Sequence, residues 1–155
     1  MRRLVALLAA AFAAVGLDIP WRWVTGGANG IGRALCQRFI QDGAIEPPYW
    51  FQIVLGVRGG APGTIQQLVQ MVQMLPPGTL WSACGIGRSQ LPLGVAAMTM
   101  GGHVRTGLED TFYLGDGTKV TSNGQLIEGI VTCARNAGRE IASPAEARKI
   151  LKLMH

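Results

Sequence analysis

The chain has 155 residues, the size of one ordinary domain and enough to bury a core, but far short of the roughly 250 residues of a closed eight-stranded α/β barrel. With 48% hydrophobic and 15% charged residues, its composition is the opposite of a disordered chain. The net charge of +5 comes from 14 Lys and Arg against 9 Asp and Glu with no basic run beyond Arg2-Arg3; charge this diffuse suits anionic small molecules, and no nucleic-acid motif is present.

In chain order, Arg2 and Arg3 lead into an uncharged Ala- and Leu-rich run over residues 4–17. A charged start, an apolar middle and the small-x-small sequence Ala11-Phe12-Ala13 have the form of a cleavable secretory leader. The same run has the intrinsic propensity of an Ala-rich helix. At about 14 residues it is too short to span a bilayer, so no membrane partner is expected. Residues 1–20 are therefore read as a leader or helix, ahead of a single α/β domain over residues 21–155. Cys36, Cys84 and Cys133 are odd in number and lack CxxC spacing, which suits reduced thiols of a cytoplasmic protein. A cleaved leader would instead mean export.

The run Trp21-Arg22-Trp23-Val24 reads as a short strand, followed by the turn Thr25-Gly26-Gly27-Ala28-Asn29-Gly30-Ile31-Gly32 and a helical pattern over residues 33–42 that Gly43 stops. Strand, glycine turn and helix form the context of a dinucleotide site, in which glycines let the backbone close on a pyrophosphate. Thr25, Gly26, Gly30 and Gly32 resemble the cofactor turn of the short-chain dehydrogenases, which implies NAD or NADP. What should follow is absent. Pro47-Pro48 interrupts the place of the second strand, and there is no Tyr-x-x-x-Lys pair. A plain glycine-rich turn without a nucleotide remains the alternative.

From Pro47 the organisation is regular. Residues 49–56 form an apolar run, as expected of a strand buried on both faces. A glycine-rich loop and a Thr64 cap then precede a helix striped with Ile65, Leu68, Val69, Val72 and Leu75, which Pro76-Pro77 ends. A second unit has a strand over 80–84, the loop Gly85-Ile86-Gly87-Arg88 and a small-residue helix over 91–100. A third begins with a strand over 102–108, and its helix over 122–137 is capped by Ser122 or Asn123 and stopped by Gly138. Ser143-Pro144-Ala145-Glu146 is a capping box opening a last helix to about residue 153. Met71, Met74, Met98 and Met100 are taken as core filling. Counting residues 21–42, the fold expected is α/β: a partial, half TIM-type barrel of about four βα units with parallel strands.

The stretch Gly101-Gly102-His103-Val104-Arg105-Thr106-Gly107-Leu108-Glu109-Asp110 carries the most chemistry. Strand alternation puts His103 and Arg105 on one face and Val104 and Thr106 on the other. Arg105, Glu109 and Asp110 converge at the C-terminal tip, the edge at which α/β sheets and barrels bind ligands.

A longer resemblance runs from about Arg33 and is clear over residues 47–153. Pro48-Tyr49-Trp50-Phe51-Gln52-Ile53-Val54-Leu55-Gly56, Leu75-Pro76-Pro77-Gly78, Trp81-Ser82, Gly85-Ile86-Gly87-Arg88, Gly101-Gly102-His103-Val104-Arg105, Gly107-Leu108-Glu109-Asp110 and Pro144-Ala145-Glu146-Ala147 are similar to the C-terminal half of the β-keto acid cleavage enzymes, the family of the 3-keto-5-aminohexanoate cleavage enzyme. The resemblance implies a zinc-dependent α/β barrel that exchanges the acyl part of a β-keto acid with acetyl-CoA, giving acetoacetate and a new CoA ester. It implies Glu109 as a Zn²⁺ ligand, and Arg105 and Asp110 as the substrate-orienting and proton-abstracting pair. Such roles fit the residue types, since zinc takes carboxylate oxygen and an Asp beside an Arg can serve as a base. Arg88, at the tip of the preceding strand, stands where barrels hold phosphate and is assigned to the CoA phosphates, with a solvated loop arginine as the alternative.

The family's remaining zinc ligands are a His-x-His pair, whereas the histidines here are His103, expected to be structural, and His155. A catalytic zinc needs about three protein ligands. The expectation is thus a truncated or mosaic member, weakly active or inactive alone, with residues 21–46 as a dehydrogenase-like unit. The alternatives are an NAD(P)-binding dehydrogenase fragment and a non-catalytic half-barrel that assembles with itself or with a missing N-terminal half.

Overall fold

A computed structural model describes residues 6–8, 31–45, 47 and 49–151. Its elements are β1 (Ala6–Leu8), α1 (Ile31–Gln41), β2 (Trp50–Leu55), α2 (Ile65–Gln73), β3 (Leu80–Gly85), a 3₁₀ turn (Gly87–Ser89), α3 (Gln90–Thr99), β4 (His103–Thr106), α4 (Asn123–Asn136) and α5 (Pro144–Ile150). All strand pairings among them are parallel, in the order β1-β4-β3-β2. The succession of strand and helix from β2 to α4 is the alternation that the sequence implies, and parallel pairing follows from the helical crossovers. The strand expected over residues 21–24 lies outside the described residues. Residues 6–8, within the run read as a leader or helix, pair as a strand, with Leu7 in register with Arg105.

Helices α2, α4 and α5 begin where the sequence offers a cap. Thr64 Oγ1 accepts from the Gln67 backbone N–H at 3.2 Å. The choice between Ser122 and Asn123 resolves into a division of labour: Ser122 Oγ caps α4 by accepting from the Gln125 N–H, while Asn123 Oδ1 accepts from the Leu108 N–H at 2.8 Å and ties the helix to the turn after β4. Both halves of the Ser143/Glu146 capping box form, with Pro144 at the first helical position. At the C-terminal end of α3, Arg139 Nη1 donates to the carbonyls of Met98, in the last turn, and of Gly102, just before β4, at 2.9 and 2.7 Å, tying the segment after α4 to this joint.

The pleat then sorts the side chains. Ile53 and Leu55 of β2, Trp81 and Ala83 of β3 and Val104 of β4 form one core with Leu68 and Met71 of α2, Leu93, Ala97 and Met98 of α3, and Ile130 and Ala134 of α4. Burial of this apolar face is the main stabilising term. The opposite face carries Gln52, Ser82, Cys84, His103 and Arg105, the other set of alternate positions. Two expectations need correction. β2 is not buried on both faces: Val54 is 36% exposed, because the helices cover only the Ile53 and Leu55 side. Met100 is likewise 36% exposed, lying past the end of α3 where the helix leaves the core.

Candidate active site at the C-terminal edge of the sheet

Three neighbouring strands supply the polar cluster. Arg105 projects from β4, Cys84 from β3 and Gln52 from β2, on the face away from the helices. With its amide oxygen turned to the guanidinium, Gln52 accepts from Arg105 Nε at 3.3 Å and from Nη1 at 3.0 Å. Arg105 Nη2 donates to Glu109 Oε1 at 3.0 Å and lies 3.2 Å from Asp110 Oδ2. The planar guanidinium fork thereby holds three partners at once, a task a point-charge ammonium does less well.

The turn that follows β4 makes this convergence possible. The Asp110 and Thr111 N–H groups both donate to the Gly107 carbonyl, at 3.0 and 3.2 Å. A side chain at position 107 would collide with the Glu109 carboxylate, so glycine there lets Glu109 fold back on Arg105. The Asp110 carbonyl also accepts from the Gly87 N–H at 2.8 Å, joining the turns after β3 and β4. Asp110 and Arg105 are largely enclosed, with side chains 8% and 20% exposed, whereas Glu109 is 46% exposed.

Cys84, fully buried, donates its thiol hydrogen to Asp110 Oδ2 at 3.1 Å. Burial, then the Asp110 charge and this hydrogen bond, push the thiol pKa far above its ordinary value, outweighing the opposing pull of Arg105. The thiol is therefore an S–H donor and not a nucleophile. Two residues deeper on β3, the fully buried Ser82 Oγ makes no hydrogen bond among the described residues. Its register neighbours are Gln52 and His103. His103 is buried and its ring stacks on Trp50 with centroids 5.3 Å apart, the structural place expected of it.

The sequence-derived residues Arg105, Glu109 and Asp110 thus meet in space. Arg88 does not join them: it is exposed on the 3₁₀ turn, adjacent to the Gly87 tie. Thr25, Gly26 and Gly30 of the dehydrogenase-like turn lie outside the described residues, and Gly32 falls in the first turn of α1. Gln52, Ser82 and Cys84 were not singled out. Gln52 left a signal, as the one polar residue within Trp50–Leu55. A groove of about 370 Å³ lined by Leu91, Leu114, Leu126, Ile130 and Cys133 lies between α3 and α4, and none of the cluster residues lines it.

The described residues do not assemble a zinc site. Among the described residues no group of three His, Cys, Asp or Glu side chains is placed to hold a metal ion. Glu109 is engaged by Arg105, and Asp110 by Arg105 and Cys84. What the cluster can do unaided is bind or orient a polar group at Arg105 and accept a proton at a carboxylate.

Residues 32–153 match the sequence pattern of the family described as beta-keto acid cleavage enzyme. The chain is 44% identical over 116 residues to the 3-keto-5-aminohexanoate cleavage enzyme of Fusobacterium nucleatum subsp. nucleatum, an alignment covering 75% of this chain and 42% of that protein. It is 40% identical over 114 residues to the protein of the same name from Acetoanaerobium sticklandii, covering 74% and 42%. To the 3-dehydrocarnitine:acetyl-CoA trimethylamine transferase of Rhizobium meliloti it is 37% identical over 117 residues, covering 76% and 39%. The matched segment therefore spans about two fifths of the length of these relatives. Since the family pattern runs through β2, β3 and β4 and includes the Arg105, Glu109 and Asp110 cluster, the chain belongs to the β-keto acid cleavage enzyme family.

Proposed function

We propose that the cluster is the proton-abstracting part of a β-keto acid cleavage site, with Asp110 as the base and Arg105 as the group that orients the substrate and offsets its charge. The observation that carries this is the Asp110 carboxylate held at the sheet edge by Arg105, at 3.2 Å, and enclosed to 8% exposure. Carbon 2 of a β-keto acid lies between two carbonyl carbons and is acidic enough for a positioned carboxylate to take its proton. The electron pair left on carbon 2 delocalises as an enolate beside the Arg105 cation. In the complete exchange, that carbon would form a bond to the acyl carbon of acetyl-CoA. The CoA thiolate released would then add to the original keto carbon, the bond between carbons 2 and 3 would break, the proton held by Asp110 would return to carbon 2, and acetoacetate and a new acyl-CoA would leave. Acetyl-CoA as co-substrate is supported by the names of relatives such as the Rhizobium meliloti transferase. Arg88, exposed one residue from the Gly87 tie to Asp110, is the group on this chain suited to the CoA phosphates. The parallel sheet, with its polar face turned from the helices, supports a portion of a TIM-type barrel.

No step is assigned to zinc, because the described residues supply no set of three ligands. For the same reason we infer that the chain alone turns over poorly. The test follows carbon 2 hydrogen exchange of 3-oxohexanoate in D₂O by proton NMR, alongside zinc content and acetoacetate formation with acetyl-CoA. Exchange is expected to be about a hundredfold faster with the chain than with Asp110→Asn, the scale of one general base. Zinc below about a tenth of an equivalent and little acetoacetate are expected from an incomplete ligand set. Exchange that Asp110→Asn leaves unchanged rejects the base; stoichiometric zinc with rapid turnover rejects the inferred weakness.

A further inference from the structure

We infer that Cys84 is a positioning residue for Asp110: its thiol holds Oδ2, the oxygen Arg105 also holds, and thereby fixes Oδ1 as the oxygen presented to a substrate. This rests on the proposed proton abstraction by Asp110. Two groups from neighbouring strands converge on one carboxylate oxygen: the Cys84 thiol from β3 donates to it at 3.1 Å, and the Arg105 Nη2 cation from β4 pairs with it at 3.2 Å. Among the described residues no donor reaches Oδ1.

The main chain of Asp110 is already pinned, its N–H to the Gly107 carbonyl and its carbonyl to the Gly87 N–H, so what is left to the carboxylate is its two side-chain torsions, the second of which is rotation about its own bond to the Cβ carbon. Such rotation exchanges the two oxygens, since this torsion is broad and two-fold. Arg105 alone does not prevent it, because Nη2 is shared with Glu109. The thiol adds the second anchor and comes from a site with no exposure, where water does not compete for Asp110. Burial and the Asp110 charge keep Cys84 protonated, which is the state this role requires.

The experiment has two readouts. The S–H stretching band of Cys84, obtained as the infrared difference between wild type and Cys84→Ala, is expected at lower frequency than the bands of Cys36 and Cys133, and Asp110→Ala should return it to their range. For carbon 2 exchange of 3-oxohexanoate, Cys84→Ala is expected to lower the saturated rate about tenfold with the half-saturating concentration changed less than about twofold, the scale of losing one hydrogen bond to a charged group. Cys84→Ser, which keeps an O–H donor, should restore the rate to within about threefold of wild type. An unshifted band overturns the inference, as does a shifted band with Cys84→Ala at the wild-type exchange rate. Loss of rate in the Ser variant as deep as in Ala, with both circular dichroism spectra native, also overturns it by showing that bulk and not the donor matters. Should wild type show no exchange above buffer, the proposed function fails while the infrared band alone decides whether Cys84 anchors Asp110.

Discussion

Replacing Arg105 with Ala is expected to abolish carbon 2 exchange and to destabilise the fold by about 3 kcal/mol, the low end of the range for breaking an enclosed ion pair. The size follows from what the change leaves behind. Asp110, with its side chain 8% exposed, would keep a single donor, the Cys84 thiol. Gln52 would lose both of its contacts to the guanidinium. A buried acceptor stripped of its partner carries the full desolvation cost of the group. The loss stays below the top of the range because the Arg105 side chain is itself 20% exposed, so water reaches part of the gap. Arg105→Lys keeps the charge but cannot span Gln52, Glu109 and Asp110 together, and should recover stability more fully than exchange. Glu109→Gln is the contrast: with 46% exposure, its pairing with Arg105 is solvent-screened and should be worth less than about 1 kcal/mol. Urea denaturation of the three variants checks the order, and an Arg105→Ala midpoint within experimental error of wild type would falsify the claim that Asp110 depends on this cation.

The same cluster shows what a sequence of this kind discloses. Period-two alternation placed His103 and Arg105 opposite Val104 and Thr106, and the protein uses that division, with Val104 in the helix-covered core and Arg105 at the polar edge. Caps were legible because Thr64, Ser122 and Ser143 act on backbone N–H groups three residues ahead, a local interaction. The partners of Arg105 divided by the same principle. Glu109 and Asp110 are close in sequence and were visible, while Gln52 reaches Arg105, and Cys84 reaches Asp110, only through the registers of β2 with β3 and of β3 with β4. Register is a long-range property, and a buried cysteine in an apolar strand looks like filling until the strand beside it is known. β1 was missed for a related reason: Ala and Leu favour helix in isolation, and strand pairing of residues 6–8 with β4 depends on a partner about a hundred residues away.

Gly85→Ala should prove at least as disruptive as any truncation in the core, destabilising by about 3 kcal/mol or more, as forced overpacking against an element that cannot yield. Gly85 ends β3 in register with Leu55, and the chain turns back over it through Gly87–Ser89 into α3. A Cβ at this position would meet the Ser89 carbonyl oxygen, with the Ser89 carbonyl carbon at 2.5 Å and the Gln90 nitrogen at 2.7 Å. All three are backbone atoms, so no rotamer change relieves the contact; the start of α3 must move. That helix cannot move cheaply, since Leu93, Ala97 and Met98 are packed into the shared core at 2% exposure or less. A shift of the turn would also disturb the Gly87 hydrogen bond to the Asp110 carbonyl, so carbon 2 exchange should fall together with stability. Gly129→Ala in α4 separates this cause from a general sensitivity to losing glycine. A Cβ there meets nothing within 4 Å, and replacing an interior helical glycine should stabilise by about 0.5–1 kcal/mol. Denaturant midpoints moving in opposite directions for the two variants would place the constraint at the joint between β3 and α3. A Gly85→Ala protein with an unchanged midpoint would mean that this joint has slack, and that the anchoring of Asp110 through Gly87 is looser than its 2.8 Å hydrogen bond indicates.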